Sequence, residues 1–280
     1  MPGRAGYNGL MNDLSRSATG NVSPLVGPGE PPVYEARNEA GKMPLQLVCD
    51  HASRRVPAAL GNLGLEDEHF HRHIAYDIGA AQVTRRLAEV LDAPALLAGY
   101  SRLVIDLNRP PGHPESIPEI SDGTEIPGNR GIDEAAQRQR VAELFEPYHD
   151  AIHERIAGLW RRSKPPALFS IHSFSPRFGD AARPWDVGVL WNRDPRIALP
   201  LMEKLAARGL KVGDNLPYSG RKLAYTINMH GAASGLANCV VEINQDQVAD
   251  DSGVERWTGI LADVMREILA LEDLHLVRQF

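Results

Sequence analysis

The sequence predicts an α/β fold: a mainly parallel, mixed sheet with helices on both faces. Three observations lead there. Short apolar runs of strand length alternate with longer stretches of helical periodicity, as in β–α–β units. The runs at 45–49, 167–173 and 238–244 are almost continuously apolar, as strands covered on both faces are. No linker-like stretch interrupts residues 43–272, so a single domain is expected over 41–280. Residues 1–40 differ. Gly, Pro, Ser and Asn dominate them, as in Gly27-Pro-Gly-Glu-Pro-Pro32, and an extended N-terminal arm is expected there.

Taken in order, Leu45-Gln-Leu-Val-Cys49 is a buried strand that ends in a polar turn carrying His51. A helix follows over about 74–91, with Ile78, Ala81, Leu87, Val90 and Leu91 on one face and Asp92-Ala-Pro94 as its stop. Short strands are expected at 94–99 and 102–107. A Pro/Gly-rich loop then runs from 108 to about 131, and loops of that length are often functional. The clearest helix spans 133–162, where Val141, Leu144, Phe145, Tyr148, Ile152, Ile156 and Leu159 recur at spacings of three and four; Pro147 should kink it. Strands at 167–173 and 186–192, a helix at 196–208 stopped by Gly209, a strand at 238–244 and a helix at 255–271 complete the domain.

Composition narrows the function. At 280 residues, 43% hydrophobic and 24% charged, the chain is of ordinary globular type. A net charge of −6 argues against a nucleic-acid partner, which calls for a basic face. Cys49 and Cys239 both lie in apolar runs and read as buried thiols in a reducing compartment. There is no apolar signal region at the start and no run long enough to span a bilayer. The expected setting is cytoplasmic, without a membrane partner, as a monomer or small homo-oligomer.

Open α/β sheets bind ligands beyond the carboxyl ends of their strands. His51 and His172 both sit at such ends, and Glu242 interrupts the apolar run Val-Val-Glu-Ile. A lone strand-end histidine is usually a satisfied core or turn residue; the repetition singles these out. A carboxylate among apolar residues needs a partner or a task. Imidazole and carboxylate are normal zinc ligands, so one metal ion gathering these strand ends is the working expectation. Arg102 and Asn108-Arg109 flank the next apolar run. Arginine offers a planar fork to a carboxylate and asparagine a neutral donor, although a surface ion pair with Asp106 or a loop carboxylate would explain the arginines equally well.

Several blocks in order, among them Val48-Cys-Asp-His-Ala-Ser-Arg-Arg-Val-Pro57, His73-Ile-Ala-Tyr-Asp-Ile-Gly79, Tyr100-Ser-Arg-Leu-Val-Ile-Asp-Leu-Asn-Arg-Pro110, Ser170-Ile-His-Ser173 and Val241-Glu-Ile-Asn244, resemble the N-formylglutamate amidohydrolase family over about residues 43–270. The resemblance implies a fold similar to zinc carboxypeptidases and aspartoacylase. It also implies metal-assisted hydrolysis of an N-formyl or other N-acyl amino acid, with N-formyl-L-glutamate giving formate and glutamate in a histidine-degradation route. Its residue order implies His51 and His172 as metal ligands, Arg102 at the oxyanion, Asn108 and Arg109 on the substrate carboxylate, and Glu242 as the catalytic base. One divalent metal, with zinc the expected identity, is the implied cofactor. Similar enzymes carry a Glu ligand three residues after the first His, where this chain has Arg54; Asp77 is the expected replacement. Tyr225 and His230, in the Gly-rich stretch before Glu242, are the remaining candidates for substrate contact. The alternatives are a related hydrolase of another small amide or peptide-like C–N bond, and a non-catalytic carboxylate-binding homologue.

Other motifs are weaker. His149-Asp-Ala-Ile-His153 imitates H-E-x-x-H with Asp for Glu, and reads as a solvated helix face. His69, His71 and His73 alternate, which suits a loop or helix start. A mid-strand cysteine such as Cys49 is more often inert than nucleophilic. Gly231-Ala-Ala-Ser-Gly235 misplaces the Ser of a nucleophile elbow by one position.

Overall fold

Three of the apolar runs lie side by side as the central strands of one sheet. The structure is a computed structural model and describes residues 23–280. Its elements are β1 (Tyr34–Arg37), β2 (Leu45–Cys49), α1 (Ala80–Val90), β3 (Ala95–Ala98), the hairpin β4 (Ile120–Ser121) and β5 (Thr124–Glu125), and then α2 (Glu134–Arg140) and α3 (Glu146–Arg162). β6 (Ala167–Phe174), the hairpin β7 (Arg177–Phe178) and β8 (Ala181–Ala182), β9 (Val187–Leu190) and α4 (Pro195–Ala207) follow. The chain closes with β10 (Val212–Asp214), α5 (Gly220–Leu223), α6 (Tyr225–His230), β11 (Asn238–Asn244) and α7 (Asp251–Leu269).

The main sheet has the order β1-β3-β2-β6-β11-β9-β10. Its centre, β3-β2-β6-β11, is parallel; β1 and β9 each run antiparallel to their inner neighbour, and β10 runs parallel to β9. Side chains alternate across the strands. Leu45, Leu47, Phe169, Ile171, Cys239 and Val241 share one core with α1, α4 and α7. Val48, Leu96, Leu168 and Val240 share the second with α3, α6 and the buried loop after β3. On that second face β6 and β11 change from apolar to polar towards their carboxyl ends, at Ser170, His172 and Glu242. Asp133, Asp194 and Asp250 cap α2, α4 and α7 by accepting backbone N–H groups, and Gly209 follows α4 with a φ of 80°. No helix of the described residues is long and apolar enough to cross a membrane.

Four expectations need correction. Of the 1–40 arm, residues 1–22 lie outside the described residues, but Tyr34–Arg37 is an edge strand paired with β3, so the packed sheet begins before residue 41. Residues 102–107 form no strand. Val104 N–H and Arg109 N–H close local turns on Ser101 and Asp106 carbonyls, and Arg102 reaches Asp106 at 2.9 Å. Four residues of strand would hold those two about 13 Å apart. The apolar run is buried in the second core instead, and burial alone does not separate a strand from a packed loop. The long helix at 133–162 runs on through a π turn, Val141–Phe145, ending two residues before Pro147. The helix thus changes its hydrogen-bonding pattern in the turn just before the proline, where a missing N–H and a ring disfavour a regular α-helix.

The helix expected from 74 starts at Ala80, because residues 74–79 do other work. Asp77 N–H donates to His51 O at 2.9 Å, which ties this segment to the turn after β2. Gly79 then starts α1 with a φ of 78°, and a Cβ there would lie 2.5 Å from Val248 O. Gly79→Ala is expected to cost about 1–3 kcal/mol from the backbone conformation alone, and more from the clash. A lowered denaturation midpoint with an unchanged m-value would register it; an unchanged midpoint would contradict it.

Candidate metal centre and catalytic cleft

Parallel pairing of β6 with β11 sets His172 directly beside Glu242 on the second face of the sheet. The turn after β2 brings in His51, and the segment before α1 brings in Asp77. Ligand atoms of His51, Asp77 and His172 all lie within 4.8 Å of one another, and all three residues are buried. His172 Nδ1 is 2.8 Å from Asp77 Oδ2, and His51 Nδ1 is 3.4 Å from the same oxygen.

The other ring nitrogens explain why both Nδ1 atoms face inward. His51 Nε2 lies 2.7 Å from Asp106 Oδ1, and His172 Nε2 lies 3.1 Å from Asp50 Oδ2. Asp50 is fixed in turn by Tyr148 O–H and Thr226 O–H, which donate to its Oδ1 at 2.9 and 3.0 Å. With Nε2 held by a carboxylate, each imidazole turns Nδ1 towards Asp77, where it can offer a lone pair to a cation or an N–H to the carboxylate. Lone pairs facing a carboxylate repel unless a proton or cation lies between. His51 Nδ1 and Asp77 Oδ1 are buried without a hydrogen-bond partner among the described residues, which buried polar atoms rarely are. Two nitrogens and a carboxylate oxygen, backed by hydrogen-bonded carboxylates, form the donor set of a three-ligand divalent metal site. These residues therefore fit a metal ion.

The electrostatics agree. Burial raises the Asp77 pKa, but the flanking histidines outweigh it and hold the carboxyl well below its ordinary range. Burial likewise opposes the charged forms of Asp106 and His172. His51 and Arg102 still keep Asp106 low, and Asp50 and Asp77 keep His172 well above the usual imidazole value. Glu242 goes the other way: burial, with Asp77 adding to it, pushes its pKa up to about 7 despite His172 nearby. A carboxyl poised near neutrality in a cleft is suited to proton transfer.

A cavity of 510 Å³ opens over the cluster, with Arg102, Asn108 and Arg109 also on its wall. Arg102 pairs with Asp106 at 2.9 Å and lies 3.6 Å from Asp77. That is the expected ion pair, with Asp106 buried and Arg102 half-buried rather than on the surface. Asn108 Oδ1 accepts Thr226 N–H at 3.0 Å, and Arg109 pairs with Glu115 at 2.9 Å while donating Nη1–H to Leu223 O. Arg54, at the position where similar enzymes carry a ligand, is exposed and bonded to His71.

Tyr225 and His230 lie elsewhere. Neither lines the cavity. They pack in α6 against His149, with ring centroids 5.3 and 5.1 Å away, and His149 Nδ1 is 2.8 Å from His230 Nε2. Their place just before Glu242 in sequence brings them to a helix–helix contact instead. His149 also bonds Leu107 O at 2.9 Å, while His153 is exposed, so these two histidines share no ligand site. Burial pushes the Cys49 thiol far above its usual value and leaves it inert. His73, read from the sequence only as part of a loop or helix start, and Tyr218, which the sequence did not single out, complete the cleft. His73 lies 3.3 Å from Asp77 Oδ1 and 2.8 Å from Gln245 Nε2, and Tyr218 lines the wall.

Asp50 has no route to solvent and holds the second histidine by its far nitrogen. Asp50→Asn is expected to weaken zinc binding about 10–100-fold, measured by competition with a chelating dye. An affinity within twofold of the parent would remove its positioning role.

Two histidines and a carboxylate gathered beside the sheet, with an arginine and a buried glutamate next to them, form a donor set and a proton acceptor of the kind that metal-dependent hydrolases use. Residues 43–249 match the family model described as N-formylglutamate amidohydrolase, and the chain belongs to that family. It is 30% identical over 152 residues to the N-formylglutamate deformylase of Pseudomonas aeruginosa. That match covers 48% of this chain and 53% of the enzyme, so the chain spans about half the length of the curated relative it matches. Among solved structures, a gene product of Agrobacterium tumefaciens is 32% identical with a TM-score of 0.84, covering 88% of this chain and 98% of that one. The N-formylglutamate amidohydrolase of Ralstonia eutropha JMP134 shares the fold at 18% identity, with a TM-score of 0.61 over 84% of this chain and 96% of that one.

Proposed function

We propose that the chain hydrolyses the amide bond of an N-formyl or other N-acyl amino acid with the help of one divalent metal ion, zinc in the first instance. N-formyl-L-glutamate, cut to formate and glutamate, is the substrate named by the family. The observation that carries this reading is the convergence of His51 Nδ1, His172 Nδ1 and the Asp77 carboxylate beside Glu242. A divalent ion bound by those three residues would polarise the amide carbonyl and make water more acidic.

The chain's own residues do the rest. Asn108 and Arg109 hold the substrate carboxylate, which fixes the amide over the site. Glu242 removes a proton from the attacking water as its oxygen bonds to the acyl carbon. Arg102 donates to the oxyanion that develops, a kind of contact typically worth about 3 kcal/mol. Glu242 passes that proton to the nitrogen as the C–N bond breaks, releasing a carboxylic acid and an amine; the acid's remaining proton then passes to the amine, giving carboxylate and ammonium.

The test is release of formate from N-formyl-L-glutamate by zinc-loaded protein, run beside a panel of N-acyl amino acids and small amides. Turnover of at least one N-acyl amino acid is expected, abolished by chelation and restored by metal. Hydrolysis confined to other amides would favour the related-hydrolase alternative. No turnover of any compound by fully loaded protein would favour a carboxylate-binding homologue.

A further inference from the structure

The cleft is larger, and on one side less polar, than a formylated acidic amino acid requires. Its 510 Å³ falls in the range that encloses drug-sized ligands. Two hairpins reach its wall. β4–β5 contributes Ile120 and β7–β8 contributes Phe178, which are 61% and 63% exposed yet both line the cleft. One exposed apolar side chain is ordinary; two on the lining of one pocket, from separate hairpins, give that pocket apolar surface available to a ligand.

Both hairpins are fastened in place. Arg72 donates to Thr124 Oγ1 at 2.8 Å and pairs with Asp122 at 3.4 Å. The Arg183 guanidinium lies over the rings of Phe178 and Tyr218, at 5.3 and 4.9 Å, and donates to Tyr218 Oη at 3.1 Å. Stacking on one cation holds Phe178 and Tyr218 together as an aromatic wall.

Charge points the same way. Each arginine lining the cleft already faces a carboxylate: Arg72 with Asp122, Arg102 with Asp106 and Arg109 with Glu115. A dianion such as N-formyl-L-glutamate needs two cationic partners and must compete for both. A monocarboxylate needs only one, at the Asn108–Arg109 corner, and competes with Glu115 alone.

We infer that the preferred substrate is an N-acyl amino acid with a single carboxylate and an apolar group, on the acyl or the side-chain side, that packs against Ile120, Phe178 and Tyr218. The reacting end of this assignment rests on the amidohydrolase reading above; the binding wall does not. The test is calorimetric binding to zinc-loaded Glu242→Gln protein of N-hexanoylglycine (apolar acyl), N-formyl-L-leucine (apolar side chain) and N-formyl-L-glutamate. At least one apolar compound is expected to bind about tenfold or more tightly than N-formyl-L-glutamate, and which one shows the preference assigns the apolar side. Phe178→Ser is expected to reduce that preference about tenfold, with Ile120→Ser acting in the same direction. Tightest binding of N-formyl-L-glutamate, failure of both apolar compounds to bind, or a preference that survives both substitutions would overturn the inference. Turnover by the parent protein is read in parallel. An apolar preference in binding with no hydrolysis of any N-acyl amino acid upholds the wall and sinks the amidohydrolase reading.

Discussion

Glu242→Gln is expected to lower turnover by about 10²–10⁴-fold while leaving the metal bound. The glutamine keeps the size of the side chain and its place beside His172 on β11, so the ligand cluster is undisturbed. What disappears is a proton acceptor that faces the cleft and accepts no hydrogen bond from the described residues. A second readout needs no substrate. Burial raises the Glu242 pKa to about 7 from an ordinary 4.5. A raised acid pKa stabilises the fold below the unfolded value, and that stability is lost as pH rises through 7. Above pH 7 the metal-free parent carries a buried charge that the glutamine variant lacks. The variant should therefore be the more stable at pH 8, by on the order of a few kcal/mol, and lose that advantage towards pH 4.5. Chemical denaturation at the two pH values separates this from a non-specific effect. Unchanged turnover would remove Glu242 from the chemistry, and a constant stability difference would mean that its carboxyl is not strained by burial.

The sheet was legible in the sequence because its central strands are buried on both faces. The bounds of β11 match the apolar run that reveals it, and the interruption at Glu242 marks the cleft. His51 could be found because it follows such a run, and His172 because it interrupts one near its carboxyl end, inside β6 rather than after it. Asp77 needed the resemblance, since nothing in Ala-Tyr-Asp-Ile distinguishes a ligand from a surface acid. What supports the ligands was hidden by the geometry of the turns. Asp50 adjoins His51, and strand alternation would send it to the opposite face, but β2 ends at Cys49 and alternation lapses there. Asp106 was foreseen only as a partner of Arg102; its contact with His51 Nε2 depends on the loop after β3, which replaces the strand expected at 102–107. Tyr225 and His230 failed for the complementary reason: nearness to Glu242 along the chain says nothing about where α6 packs. Phe178 and Ile120 sit in two-residue strands too short to leave a periodic signal.

Asp77→Asn should have the broadest effect of any single substitution in the cleft, because one carboxylate faces both histidine Nδ1 atoms, His73 and Arg102. The amide is a weaker ligand and carries no charge to balance a dication. Zinc affinity should fall steeply and turnover by more than about 10³-fold, since Lewis-acid assistance is worth several kcal/mol. The metal-free fold should suffer as well. A depressed carboxylate pKa gives stability that is present above the ordinary Asp value and lost as pH falls through the folded one. The raised pKa of His172 gives stability that is present below the ordinary His value and lost as pH rises through the folded one. Both contributions are full between about pH 4 and pH 6.5, so the variant should be most destabilised there. The same proton governs metal uptake. An imidazolium His172 satisfies Asp50 and Asp77 with its two N–H groups, and a divalent ion must displace the one on Nδ1. Zinc binding by the parent is therefore expected to release a proton and to weaken as pH falls. Calorimetry in buffers of different ionisation enthalpy measures that release directly. A proton count of zero at pH 6, or a variant that binds zinc as the parent does, would show that the ion is not held at His172 and Asp77.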